Sequence, residues 1–545
     1  MRRNNIRFVP SSIRLTILLA LAFFALSLSA QYAEPLEINR RNAYKLLEIG
    51  NYTEAIKQFS ALLEEDPENA NYQLALGKAY NNCNGDHKKG LNILEELNKN
   101  LKRPLGSFFE LGVAYHKNYQ FDEAILVFEE LRYASQEPDE IEHYKKWIDC
   151  SRRAKEMYNN PVEVKLINVG SEINSSAPDY LPIVEPDESA IYFTTKREEV
   201  EGGLYDSSGY WTADIYMAKN REDEYSKAKS IGNINTAGNE FTAGRSENGE
   251  YMIYQINGNI YLSEKGKRSY MPADTIDTEA TNNEASLEVS AAISNDGKRI
   301  YFSSDREGGM GGYDIWVIRK LPIGIWGEPQ NLGAPINTAA DEMYPIFRGD
   351  EDLMYFSSNG HPGMGGMDIF VSTRVKDSWV WNSPENMGYP INSVDDDLNI
   401  CYASHSRYAY IGSNRKDSYG DLDIYRLIFE DVKPEYTLIS GMIMNMDSSL
   451  ITEKVLIEVF DKYEGSLYGS YSMNKKTGRY HVILPPGEYH IKIHDIYGYK
   501  DFQMEMVVYG KSDFVARRQL DIFLETDLAE SSPELDTKIE RKAFK

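Results

Sequence analysis

"SSDREGGMGGYDIW", residues 303–316, sets a glycine-rich run between the pair Asp305-Arg306 and Asp314-Ile315-Trp316. A glycine-rich loop that cradles phosphate follows a strand, opens a helix and occurs once. No helical pattern follows this one, and it is not unique. It returns as "GMGGMDIF" at 363–370 and, weakened, as "YGDLDIY" at 419–425; "YWTADIY" at 210–216 and "INGNIY" at 256–261 stand before it. The recurring core is Asp or Asn, then Ile, then an aromatic: Asp214-Ile215-Tyr216, Asn259-Ile260-Tyr261, Asp314-Ile315-Trp316, Asp368-Ile369-Phe370 and Asp423-Ile424-Tyr425.

A second strand precedes each core: "AIYFTT" (190), "YMIYQ" (251), "RIYFSS" (299), "LMYFSS" (353) and "YAYIGS" (408). The turns "ENG" (247–249) and "NDG" (295–297) are hairpin signals. A third element recurs as "GSEINSS" (170), "GNINTAG" (232), "GAPINTA" (333) and "GYPINSV" (388). Five copies of several short strands each predict a five-bladed β-propeller over 161–430. In that setting the glycines serve positive φ between two strands of a blade. The repeated Asp or Asn accepts from the turn's own N–H groups, and the aromatic packs between blades.

Residues 36–160 carry helical patterns with small and large residues at fixed offsets: Gly50, Tyr52, Ala55, Phe59, Leu62 and Pro67, then Leu111, Gly112, Tyr115, Phe121, Ala124 and Phe128, with a looser copy at Leu76, Gly77 and Tyr80. Leu76 to Leu111 is 35 residues. This resembles the tetratricopeptide repeat, which implies an α-solenoid with a partner-binding groove, or a spacer whose groove is empty. Ile141, Tyr144, Trp147 and Ile148 then form one face of a capping helix. Residues 433–526 read as a separate β unit. Tyr480, Val482 and Leu484 alternate on one side of Pro485-Pro486-Gly487, and Tyr489, Ile491 and Ile493 on the other. The series resembles the carboxypeptidase-regulatory-like sandwich of transthyretin type, a structural or adhesive module.

The chain has 545 residues and a formal net charge of −25, which argues against nucleic acid and against unassisted adhesion to anionic lipid. Tyrosine, at 39 against 20 phenylalanines, suits half-wet strands. At the N-terminus Arg2, Arg3, Arg7 and Arg14 precede the apolar run 15–26 and the small residues Ser27-Leu28-Ser29-Ala30. This is an export signal over 1–30, and the run is short of the ~20 residues a span needs. Export places the mature chain in the periplasm. The polar tail, 527–545, reads as disordered. Cys83, Cys150 and Cys401 are neither a disulfide framework nor a metal set; Cys83 and Cys150 either pair or remain buried thiols.

Catalytic motifs are absent: no H-E-x-x-H, G-x-S-x-G, P-loop or Cys-x-x-Cys. No cofactor and no metal is expected; His490 and His494 share a strand face but lack further ligands. The best candidate site is a ring of acids, one before each innermost strand: Asp179, Glu240, Glu284, Glu342 and Asp397. Asn239, Asn283, Asp341 and Asp396 adjoin four of them. Such a ring either attracts a cation or basic partner segment or consists of turn residues. Glycoside hydrolases on propellers need singular acids instead, and Glu288 on the inner strand of blade three is the exception that fits them.

The propeller units resemble the TolB-type, WD-repeat-like family of bacterial envelopes. The whole order is similar to the PorE group of envelope proteins associated with type IX secretion and gliding motility. That resemblance implies a non-enzymatic scaffold or adaptor at the inner face of the outer membrane, holding partner proteins by helical groove and propeller face. The group's pattern continues with an OmpA-like peptidoglycan-binding domain that this sequence does not show, so wall anchoring is not expected. The alternative is an exported glycan-binding or glycan-cleaving propeller.

Overall fold

The computed structural model describes residues 37–527 apart from short internal stretches, the longest at 276–285 and 509–516. The expected signal at 1–30, the tail from 528 and the candidate Glu284 lie outside the described residues. The chain divides into two compact units, Met1–Asp431 and Val432–Lys545.

Five antiparallel sheets of the first unit are the blades. Blade three runs Glu288–Ile293, Arg299–Ser304, Asp314–Arg319 and Gln330–Asn331; blade four runs Glu342–Arg348, Leu353–Ser358, Asp368–Thr373 and Glu385–Asn386. Blade one starts at Asp179–Val184 and blade two at Glu240–Arg245. Blade five, Asp397–Tyr402, Tyr408–Ser413 and Asp423–Phe429, takes its outermost strand, Val164–Asn168, from the other end of the propeller sequence. The ring is thus closed by strand pairing between its two ends. The same junction carries a side-chain clamp, in which Asn174 accepts from Ile424 N–H at 2.9 Å and donates to Ile424 C=O at 3.0 Å. Asn235, Asn337 and Asn392 grip Ile215, Ile315 and Ile369 in the same way, which is the work of the recurring Ile-Asn element.

The loop quoted first is a tight turn with a second duty. Asp314 Oδ2 accepts from Met310 N–H and from Asn331 Nδ2. Gly308 takes a positive φ of 91°. Gly311 and Gly312 do not; they let the loop press on the next blade, where an added Cβ would lie 2.5 Å from Ala339 C and 2.1 Å from Asp341 Oδ1.

The N-terminal helices correct the expectation of an α-solenoid. There are seven among the described residues: α1 Arg40–Ile49, α2 Tyr52–Glu65, α3 Ala70–Asn82, α4 His87–Lys99, α5 Ser107–Lys117, α6 Phe121–Ala134 and α7 Pro138–Asn159. Neighbouring helices touch where the small residues allow, Gly77 against Leu94 and Gly112 against Phe128. They do not form a free-standing superhelix with its own groove. They belong to the same compact unit as the propeller, whose sheets are antiparallel. Their polar edge is spent on the blades. His116 on α5 meets Met364 C=O at 2.9 Å, and Lys117 donates to Val394 C=O at 2.6 Å and bonds Asp395 at 2.6 Å. Thr53 on α2 donates to Asp421.

In the second unit Thr437–Asn445 pairs antiparallel with Arg479–Leu484 and parallel with Arg517–Gln519 and Ile522–Leu524. A second sheet orders Leu467–Ser472, Leu456–Asp461, Gly487–Ile493 and Phe502–Val508. Tyr480, Val482, Leu484, Tyr489, Ile491 and Ile493 are all buried in the core between them. All three cysteines are free thiols.

Candidate functional site

Each innermost strand opens with an acid that pairs with the last residue of the second strand: Asp179 with Thr195, Glu240 with Ile256, Glu288 with Ser304, Glu342 with Ser358 and Asp397 with Ser413. The ring member of blade three is therefore Glu288, not Glu284. Glu288 is not singular; it is the fifth copy of the repeated position. All five of these acids are fully buried.

Their partners lie in their own blades. Asp397 accepts from Ser393 N–H at 2.6 Å, Ser413 Oγ at 2.6 Å and Arg415 at 2.6 Å. Asp179 accepts from Ser175 N–H and Arg197, each at 2.6 Å. Glu288 accepts from Ser286 Oγ, Ser304 Oγ and Arg306, the last at 2.9 Å, and its Oε2 is buried without a partner among the described residues. Arg306 is the base of the opening motif, and its guanidinium also lies 4.6 Å over Phe302. Blades two and four have glycine, Gly258 and Gly360, two residues past the second strand where Arg197, Arg306 and Arg415 stand. There Glu240 accepts from Thr236, and Glu342 from Thr338 N–H and Oγ1 at 2.7 Å and from Ser358.

Burial pushes the Glu342 carboxyl up to about 7, and the nearby Asp314 charge adds to it; the hydrogen bonds from Thr338 and Ser358 recover only part of the cost. Burial likewise raises Glu240, Glu288 and Asp397. The Asp of the third strand is raised in the same manner, Asp214 and Asp368 to about 7 and Asp423 to about 6. The acid and amide neighbours hold the preceding blade: Asn239 accepts from Ala213 N–H, Asp341 from Tyr313 N–H and Asp396 from Met367 N–H.

The channel inside this ring is filled. The residues that follow four of the acids, Phe241, Val289, Met343 and Leu398, cluster with Leu181 of blade one as a buried apolar plug. Just below, bonds cross between blades: Thr242 Oγ1 donates to Leu181 C=O, Ser290 Oγ accepts from Tyr344 N–H, and Asn399 donates to Pro182 C=O. At the opposite mouth a shallow hollow is lined by Arg245, Arg348 and Tyr402. Arg245 spans it and donates to Tyr402 C=O at 2.7 Å. No group of three or more metal-ligating side chains exists among the described residues. His494 is paired with Glu458 at 2.7 Å and Asp495 at 2.9 Å.

The helix-to-blade contact is the polar cluster that sequence reasoning missed. His87 Nε2 and Lys117 Nζ hold the two oxygens of Asp395 at 2.9 and 2.6 Å. Burial alone would lower His87, but the Asp395 charge and hydrogen bond hold it above its usual value. Burial alone would raise Asp395; His87 and Lys117 keep it far below the carboxylate range. Beside them burial, reinforced by Lys117, pushes His116 down to about 3.

No protein family matches the chain, and no curated protein does. Among solved structures, a β-xylosidase, RS223, is similar at 12% identity over 52% of this chain and 97% of its own, with a TM-score of 0.30. An α-L-arabinofuranosidase from Lactobacillus brevis is similar at 10% identity over 51% of this chain and 92% of its own, TM-score 0.28. A chlorocatechol 1,2-dioxygenase from Pseudomonas putida is similar at 15% identity, TM-score 0.14, with 18% of this chain and 61% of that one covered. At these scores the likenesses carry no inference about reaction or substrate.

Proposed function

We propose that this chain is a non-enzymatic scaffold of the bacterial envelope, exported to the periplasm, that holds partner proteins on its propeller. One observation carries the reading: the five repeated acids are buried, tied to serine, threonine and arginine of their own blades, and sealed from the channel by an apolar plug. A glycan-cleaving site needs two carboxylates facing an open cleft, and these face protein. The domain order, propeller then sandwich, supports placement among envelope assemblies of the type IX secretion and motility class. The test is in-cell crosslinking of the full chain followed by identification of what is captured from the envelope. Recovery of a defined set of envelope proteins supports the scaffold. A monomer with no reproducible neighbour overturns it.

A second reading, a glycan-cleaving propeller, has Glu288 in its favour, with its raised carboxyl and unpartnered Oε2. Several similar solved structures are named as glycan-cleaving enzymes, though with scores too low to carry the reading. Hydrolysis of arabinan, xylan or xyloglucan by the purified chain, lost in Glu288→Gln, would establish it.

A further inference from the structure

The helices lie against the face where the third strands begin, at Gly363, Met364 and Asp395. The loops that follow the third strands emerge on the other face. In blade one that loop reads Glu222-Asp223-Glu224-Tyr225-Ser226-Lys227-Ala228, a sequence rich in charge. Blades three and four differ. Their loops read "LPIGIW" at 321–326 and "SWVW" at 378–381. Trp326 and Trp381 turn back onto their strands through bridges to Lys320 and Arg374. The remaining apolar side chains point outward: Ile323 is 77% exposed, Ile325 50%, Val380 60% and Trp379 48%. Singly such residues need no explanation, but two adjacent loops of one face are an interaction signature.

The two loops meet at a cationic centre. Three guanidiniums surround the Trp379 ring, Arg319 at 5.0 Å, Arg374 at 5.1 Å and Arg299 at 5.2 Å. Arg299 is paired with Glu351 and Arg374 with Asp352. Arg319 donates to the neutral Gln330 at 3.1 Å and has no carboxylate partner among the described residues. Its Nε is buried and unpartnered. Arg299 also lies 3.7 Å from Asp296, so Arg319 is the guanidinium of this cluster that no carboxylate among the described residues offsets, on a chain whose net charge is −25.

We propose that this face of blades three and four docks an acidic segment of a partner protein. An aliphatic or aromatic side chain of that segment seats on Ile323, Ile325, Trp379 and Val380, and a neighbouring carboxylate takes Arg319. The charge favours this occupant over a second copy paired through the same face, which would set its own arginines against these. The surface deepens the scaffold reading and rests on it.

The experiment pans a phage-displayed library of random dodecapeptides against the full chain, with Arg319→Gln, Trp379→Ala and the double variant Ile323→Ser/Val380→Ser as counter-targets. Melting midpoints within about 2 °C of the parent establish that each variant is folded. Enriched peptides should carry Asp or Glu within three residues of a large apolar residue. Their binding should weaken roughly tenfold in Arg319→Gln and fall with salt. The double variant should lose binding, and Arg319→Lys should recover part of the Arg319→Gln deficit. The proposal is overturned by peptides that bind all variants alike, by enrichment without acidic residues, or by no enrichment at all. It is equally overturned if the face mediates self-association, seen as a dimer that the double variant abolishes in sedimentation, or adsorbs to phosphatidylglycerol vesicles. Loss of the scaffold reading would show separately, in crosslinking and hydrolysis assays that do not involve this face.

Discussion

Glu342 is held by three donors and still keeps its carboxyl near 7, because burial outweighs what Thr338 and Ser358 return. A carboxyl raised in the folded state binds a proton that the unfolded chain releases. Its contribution is therefore fully present below the unfolded value and is lost as pH rises through about 7. Asp214 and Asp368, also near 7, have the same sign, and so does raised His87. His116, pushed down to about 3, opposes them, since its contribution is lost as pH falls below the ordinary histidine range. With more groups on the first side, the propeller should unfold at lower urea at pH 8 than at pH 6. Glu342→Gln should flatten that difference, because the amide keeps an acceptor for Thr338 N–H while the two hydroxyls turn to accept. Urea titrations of both proteins at the two pH values check this; equal slopes against pH would contradict it.

The innermost strands show at the next scale why the ring is positioned but not exposed. Each carries a register shift one to three residues after its acid. In three blades a non-glycine residue there takes a positive φ: Leu181 at 52°, Tyr344 at 58° and Asn399 at 31°. The bulge turns backbone groups across the channel to the neighbouring blade, which accounts for the bonds at Leu181, Tyr344 and Pro182. In blade two the position after the bulge must be glycine, since a Cβ on Gly244 would sit 1.8 Å from Ala291 C=O of blade three. Gly244→Val should destabilise the propeller by about 3 kcal/mol or more, read as a loss of unfolding free energy. Gly308→Ala, strained by its φ of 91° but meeting only the Trp316 ring at 3.9 Å, should cost only about 1 kcal/mol.

Across the whole molecule the propeller was legible because its repeat is written in short range: Asp-Ile-aromatic, the second strand and the Ile-Asn element recur in fixed order. The ring was four-fifths legible. The acid and its partner on the second strand are sixteen residues apart in every blade, as in Glu342–Ser358 and Asp397–Ser413, and that spacing selects Glu288. Glu284 also precedes that strand, with Asn283 beside it as Asn239 stands beside Glu240, but it lies twenty residues before Ser304. What the helices do was not legible, because Lys117 and His116 find their partners more than two hundred residues away. An amphipathic pattern marks a face for burial without saying whether a groove or a blade covers it. Breaking the contact with Lys117→Ala should leave the blades intact and speed amide exchange in α5 by at least about tenfold.

The repeated acids are structural ties. The most direct measurement is the unfolding free energy of the full chain and of Glu288→Gln, taken beside their hydrolysis of arabinan, xylan and xyloglucan. The variant removes the carboxylate that Arg306 pairs with at 2.9 Å, so stability should fall by about 3 kcal/mol, with no hydrolysis by either protein. Hydrolysis by the parent that disappears in Glu288→Gln at unchanged stability would contradict the account.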